Sequence, residues 1–288
     1  MTFPLHAVQH VRRMRGGSQA HLLRASDEKF YVTKFSNNPQ HTRVLANEMF
    51  ASLLGRWLGL PMPDVAVIEV YDWLIEHSPE LCFENIGQRT KCSHGRQFAS
   101  LYACDPQEEI HLDYLPDSMF FKVKNVADFA RVLVLDKWTG NADGRQAVFS
   151  KKTKQRLYKA TFIDQGYCFN AGEWDFPDSP LRGVYARNCV YTTVTGWDAF
   201  EPALTKVERA EPMDLWRCAQ VVPSEWYDHD SNALEILVET MYERRLKIRD
   251  LITAFRNSTR QPFPVWTATG QVSCSRDANP KSAFLSIE

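Results

Sequence analysis

The chain has 288 residues, room for one large domain or two packed lobes with a sizeable buried core. Its 44% hydrophobic and 24% charged residues match ordinary globular usage, which excludes collagen-like, low-complexity and wholly disordered classes. With 34 basic and 35 acidic side chains the net charge is −1, so no global field draws the chain to nucleic acid or an anionic membrane.

No apolar run approaches the ~20 residues that span a bilayer. Met1 to Leu5 lead into His6 rather than a signal-peptide core, so the expectation is a cytoplasmic protein without a membrane partner. Seven cysteines with no CxxC pair predict reduced thiols and neither a disulfide framework nor a clustered zinc site. Residues 6–14, 20–23 and 30–35 read as strands, with Arg15-Gly-Gly-Ser18 punctuating the first pair and 25–29 forming the next turn. Residues 40–58 carry Val44, Leu45, Met49, Leu53, Leu54, Trp57 and Leu58 at helical spacing, and Gly59 and Pro61 stop this helix.

Residues 65–70 and 72–75 read as further strands, and between 77 and 113 only 97–102 looks extended. From Asn125 the pattern turns helical, with Asn125 at the N-cap, Asp128 at N3, and Val126, Phe129, Leu133 and Val134 forming an apolar stripe up to Trp138. A polar loop (139–145), a strand (146–149), a basic turn (151–154) and a strand (157–163) then predict a β-hairpin. A Gly/Pro-rich stretch runs to Pro180, the clearest later helix covers 232–255, and 260–288 reads as a flexible tail.

Antiparallel pairing brings hairpin ends together, so Asp143 before the first strand and Asp164 after the second are expected to face one cleft. Asp164 in Ile163-Asp-Gln-Gly166 suits a cation ligand and Asp143 suits orientation of an attacking hydroxyl, although both residues also suit plain turns. Lys34 stands alone inside the apolar strand Phe30-Tyr-Val-Thr-Lys-Phe35 and needs a partner if covered; Glu48, in the middle of the next helix, can supply it. A strand Lys held by a helix Glu is the arrangement kinases use on ATP phosphates. The glycine turn Gly16-Gly-Ser-Gln19 can lay backbone N–H groups over phosphates, but no GK[ST] follows and it is not a Walker A sequence. The order of parts, glycine turn, Lys, Glu, loop Asp, hairpin, Asp, follows the protein-kinase plan. His6 and His10 fall in a strand and not on a helix face, and the basic residues 151–156 read as a solvated hairpin tip, so no nucleic-acid partner is expected.

At these residues the chain resembles the HipA-like kinases and, more distantly, the phosphatidylinositol kinases. The resemblance rests on Gly16-Gly-Ser-Gln19, Val32-Thr-Lys-Phe35, Glu48 with Leu58-Gly-Leu-Pro61, Gly140-Asn-Ala-Asp-Gly-Arg145 and Ile163-Asp-Gln-Gly166, and it spans roughly residues 8–251. It implies an α+β, two-lobed kinase-like fold, with an antiparallel lobe over 1–114, a mainly helical lobe over 115–257 and the tail beyond 258. It also implies ATP and Mg²⁺ as cofactors and γ-phosphate transfer to a hydroxyl of a protein or peptide, with Ser or Thr as the acceptor. Asp143 would be the catalytic base. Lys34, held by Glu48, would bind the α- and β-phosphates under the Gly16, Gly17, Ser18 and Gln19 loop, and Asp164 would hold the metal. One departure matters: the family's metal-binding Asn, five residues past the catalytic Asp, falls on Val148. Valine cannot coordinate a cation, which leaves three alternatives: Asn141 or Gln146 supplies the missing oxygen, the protein uses one Mg²⁺ weakly, or it is a nucleotide-binding interaction module without efficient transfer. Arg182, Tyr185, Arg187 and Tyr191 follow the metal Asp and are candidates either to receive a substrate or to pack.

Overall fold

The structure is a computed structural model and describes residues 4–104 and 109–267. The N-terminal lobe is built from β1 (Ala7–Arg13), β2 (His21–Ala25), β3 (Phe30–Lys34), α1 (Arg43–Trp57), β4 (Val65–Val70), α2 (Asp72–Glu76), β5 (Cys82–Asn85), β6 (Gln88–Lys91) and β7 (Gly95–Leu101). One antiparallel sheet runs in the order β1-β2-β3-β7-β4, and β5 and β6 form a separate hairpin. The first three strands and α1 lie where sequence spacing predicts them.

Residues 72–75, read as a strand from their apolar character, instead form the short helix α2, which buries the adjacent Leu74 and Ile75. Two neighbouring side chains can share one covered side on a helix but not on a strand. The strands β5 and β6 were not foreseen because Gln88–Lys91 is exposed throughout and has no hydrophobic alternation. Leu22 and Leu23 are both buried, so the sheet is covered on both faces. One side packs on α2 and the β5–β6 hairpin through Leu23, Phe35, Ile68, Leu74 and Phe83.

In the second lobe, β8 (Glu109–Leu112), β9 (Gln146–Lys152) and β10 (Lys159–Ile163) form an antiparallel sheet in the order β10-β9-β8. The helices are α3 (Asp128–Trp138), α4 (Ala203–Glu208), α5 (Pro212–Ala219), α6 (Ser231–Arg244) and α7 (Ile248–Arg256). The expected hairpin is present, with Ile163 opposite Gln146. Asn125 is not the α3 cap: its amide pairs with the backbone of Ala160 (2.8 and 3.0 Å) and so fastens the helix entry to β10. The single helix expected over 232–255 is divided by a 3₁₀ turn at Arg245–Lys247.

One continuous core joins α1 and Phe98 of β7 to α3, β9, β10 and the later helices, with Trp138, Phe129 and Phe162 fully enclosed. Part of the segment expected to be a loose tail is packed into this core. Phe263 is buried against Tyr191 and Phe255, and Arg260 donates to the carbonyls of Tyr185 (3.1 Å) and Ala186 (3.0 Å). The rest of that expectation, residues 268–288 with Cys274, lies outside the described residues. The six other cysteines form no disulfide with one another. No helix among the described residues is long and apolar enough to cross a membrane.

Candidate active site

Helix α1 is covered on nearly every side, including Asn47, Glu48 and Ser52. It lies between the sheet and the helical lobe, so its polar side chains need partners. Lys34, at the end of β3, forms an ion pair with Glu48 and a second with Asp164 at 2.9 Å. Glu48 also accepts the Gln165 N–H at 2.9 Å, and the second Asp164 oxygen accepts from Gln146 Nε2 at 3.0 Å. Lys34 and Glu48 are buried, whereas the Asp164 side chain keeps 31% of its exposure.

Burial opposes charge on all three groups. At Asp164 the Lys34 ammonium outweighs burial and holds the carboxyl down at about 2. At Lys34, burial is outweighed by Asp164 and Glu48, which keep the ammonium above its usual range. At Glu48 burial prevails over Lys34, and the carboxyl rises. One cation against two carboxylates leaves an excess of negative charge beside the cleft.

The backbone around Asp164 is tightly specified. Asp164 sits in the left-handed region at φ 63°, a conformation that must be held by its surroundings. Gly166 passes so close to α1 that a Cβ would lie 2.7 Å from Val44 Cγ1, which explains glycine there. Asn47 donates to the carbonyls of Gly166 (2.8 Å) and Ala171 (2.7 Å) and accepts from Trp174 Nε1 (2.8 Å). Its role was missed in the sequence; the available signal was two adjacent polar residues, Asn47 and Glu48, between apolar residues in the middle of the helix.

The Asp143 loop and the Asp164 loop run side by side. Ala142 N–H donates to Tyr167 O at 2.9 Å, and Arg145 Nη1 donates to Ile163 O at 2.9 Å. Asp143 is exposed, and its carboxylate accepts only from its neighbour Gly144 N–H at 2.7 Å among the described contacts. Asn141 is buried at 1% exposure; its oxygen takes the Asp143 N–H at 3.1 Å and its amide donates to Asp136 at 2.9 Å. Of the two residues expected to replace the missing metal ligand, Gln146 touches Asp164 and Asn141 is engaged elsewhere. Val148 is buried on the Gln146 side of β9.

The glycine turn joins β1 to β2 and closes through Met14 N–H to Ala20 O at 2.7 Å, one residue from the β2 end that pairs beside Lys34. Gly16 has φ 123°, and Ser18 is buried. The Gln19 side chain does not reach into the cleft space but pairs twice with the Glu84 backbone of β5, at 2.9 Å in each direction. The Gln19 N–H is taken by Gly16 O at 3.1 Å inside the turn, so the N–H groups left for a ligand are those of Gly16, Gly17 and Ser18. Tyr185 and Tyr191 are buried, and Arg187 is bonded to Asp117 and Tyr185 at 2.7 Å, so this segment packs. His10 pairs with His21 at 3.0 Å across the sheet.

The site can be tested for a divalent cation from its donors. Among the described residues no group of three His, Cys, Asp or Glu side chains is arranged around a metal. Mg²⁺ needs one or two carboxylates when phosphate and water oxygens complete its shell, and Asp164 alone meets that lower demand; Gln146, whose Nε2 donates to Asp164, would offer an oxygen only on turning its amide. The excess negative charge favours it.

A sheet with a strand Lys bound to a helix Glu, above a helical lobe that carries two acid-bearing loops, defines a two-lobed α+β kinase-like fold. It is similar to a Golgi casein kinase with Mn/ADP bound, with TM-score 0.52 and 14% identity over 88% of this chain and 74% of that one. Hydra Fam20 with sugar gives TM-score 0.52 and 11% identity over 90% of this chain and 88% of that one. The Helicobacter pylori proinflammatory kinase CtkA gives TM-score 0.50 and 14% identity over 83% and 94%. At such identities the likeness concerns the fold. Residues 8–250 match the family model of the HipA-like kinases, and the chain belongs to that family. A comparison with curated proteins gives no match.

Proposed function

We propose that this chain is a phosphotransferase that uses ATP and a divalent cation and passes the γ-phosphate to a hydroxyl of a protein or peptide, Ser or Thr by class. The observation that carries this reading is the buried Lys34, shared between Glu48 and Asp164 at the lobe junction. Lys34 would meet the α- and β-phosphates, with Glu48 fixing its position and the backbone N–H groups of Gly16, Gly17 and Ser18 lying over the phosphates, while the Gln19 N–H closes the turn onto Gly16 O. Asp164, helped by Gln146, would hold a Mg²⁺ ion, which when bound neutralises phosphate charge. Exposed Asp143 would accept the acceptor's hydroxyl proton. The nucleotide and manganese in the Golgi casein kinase structure support the same cofactor class here.

A second reading rests on buried Val148 and on the engaged Asn141: nucleotide binding without efficient transfer, in an interaction module. Label transfer from γ-labelled ATP, to the protein itself or to a lysate, separates the two. The phosphotransferase reading expects label that Asp143→Ala removes almost completely. Wild type that binds ATP but gives no Asp143-dependent label supports the binding module instead.

A further inference from the structure

Arg145 belongs to none of the roles above, yet its side chain is 1% exposed and bonds to both halves of the site. Nε and Nη2 grip the Asp136 carboxylate of α3, the first at 3.0 Å, and Nη1 donates to the carbonyl of Ile163, the residue before Asp164, at 2.9 Å. Asp136 also accepts from Asn141 at 2.9 Å, and Asn141 holds the Asp143 N–H at 3.1 Å. The Arg145 N–H donates to Val184 O at 3.1 Å, which fixes the loop from a third direction. An unbroken series of bonds therefore runs from the strand end before Asp164, through Arg145, Asp136 and Asn141, to the amide of Asp143.

Asp143 needs such support, because among the described residues its own carboxylate is tied only to the adjacent Gly144 N–H and its direction in space is set by the backbone. Transfer is sensitive to this: a misplacement of about 1 Å can cost roughly 100-fold in rate. We propose that Arg145 is a positioning residue for phosphoryl transfer, keeping the Asp143 loop in register with Asp164; the transfer part rests on the phosphotransferase reading. Lysine cannot replace it. One ammonium cannot hold a carboxylate at two points and a carbonyl on the opposite side, whereas the planar guanidinium does all three.

The test uses the full chain with Arg145→Lys, and with the uncharged pair Arg145→Gln and Asp136→Asn, which leaves no buried charge alone if the lysine variant does not fold. Steady-state label transfer gives kcat and KM for ATP, and amide hydrogen exchange is followed over 139–145 and 163–168. We expect KM within about threefold of wild type, kcat lower by roughly 100-fold, and faster exchange in both segments together. A folded variant whose kcat stays within about threefold of wild type, or whose exchange rises in one segment alone, overturns the proposal. Wild type without Asp143-dependent transfer would sink the phosphotransferase reading, and the joint exchange change would still decide whether Arg145 couples the loops.

Discussion

Two buried ion clusters flank the cleft, and their charge balance differs. At Arg145 one cation meets one carboxylate, Asp136, with the side chains 1% and 0% exposed, and the neighbouring Asn141 completes the bonding. At Lys34 one cation meets two carboxylates, and one of these, Asp164, still faces solvent on part of its surface. A balanced and fully bonded pair has no capacity left for a ligand, and its removal leaves a bare charge in a dry interior. A cluster with surplus negative charge and an open side favours a further cation. The same chemistry thus serves as a fixed joint in one place and as a receptive site in the other.

The comparison can be broken most severely at the joint. Asp136→Ala leaves the Arg145 guanidinium buried without a counter-charge, and a loss of about 3–5 kcal/mol in denaturant-derived stability is expected. A loss below about 1 kcal/mol would mean that water reaches Arg145 and that the joint is not dry. Lys34→Met should cost less, about 2–3 kcal/mol, because the Glu48 carboxyl can take up a proton and Asp164 can turn to solvent. Equal losses at the two sites would erase the distinction between them.

Acid titration sharpens it further. The folded Asp164 carboxyl lies at about 2, below its ordinary value near 3.9, so the unfolded chain takes up the proton first as pH falls. Its stabilising contribution is present above about pH 4 and lost toward pH 2. Stability measured between those limits should fall less steeply in Asp164→Asn than in wild type, and parallel curves would contradict the low value. The smallest effect is expected at Val148→Asn, which restores an oxygen donor beside Gln146. If Gln146 already serves, turnover should change by no more than a few fold, and a rise of more than about tenfold, ~1.4 kcal/mol in barrier, would show that the cation was under-coordinated.

The receptive cluster was legible in the sequence and the joint was not. A lysine in an apolar strand and a glutamate in an apolar helix each violate the local pattern, and such violations point to each other across the fold. Asp164 was legible through the hairpin, which places residues before and after it together. Asp136 and Arg145, by contrast, look like an exposed helix acid and a loop base, because what meets them comes from segments distant in sequence: Gly183 passes close to the Asp136 Cβ, and the carbonyls of Val184 and Ile163 accept from Arg145. The side-chain partner of Gln19 left as little trace in the sequence: it serves β5, a strand with no periodic signal. Short polar strands such as β6 take their form from a partner strand and leave no trace in hydrophobic spacing.

The central claim is that the Lys34, Glu48 and Asp164 cluster receives a nucleotide and a divalent cation. Thermal melts of wild type and Asp164→Asn with ATP, with and without Mg²⁺, test it most directly. A ligand at a hundredfold excess over its Kd stabilises the folded state by about 2.7 kcal/mol. Wild type should show an upward shift in Tm with ATP and Mg²⁺ that exceeds the shift with ATP alone, and Asp164→Asn should lose that Mg²⁺-dependent part. The same Mg²⁺-dependent shift in both proteins, or none in wild type, would contradict the assignment.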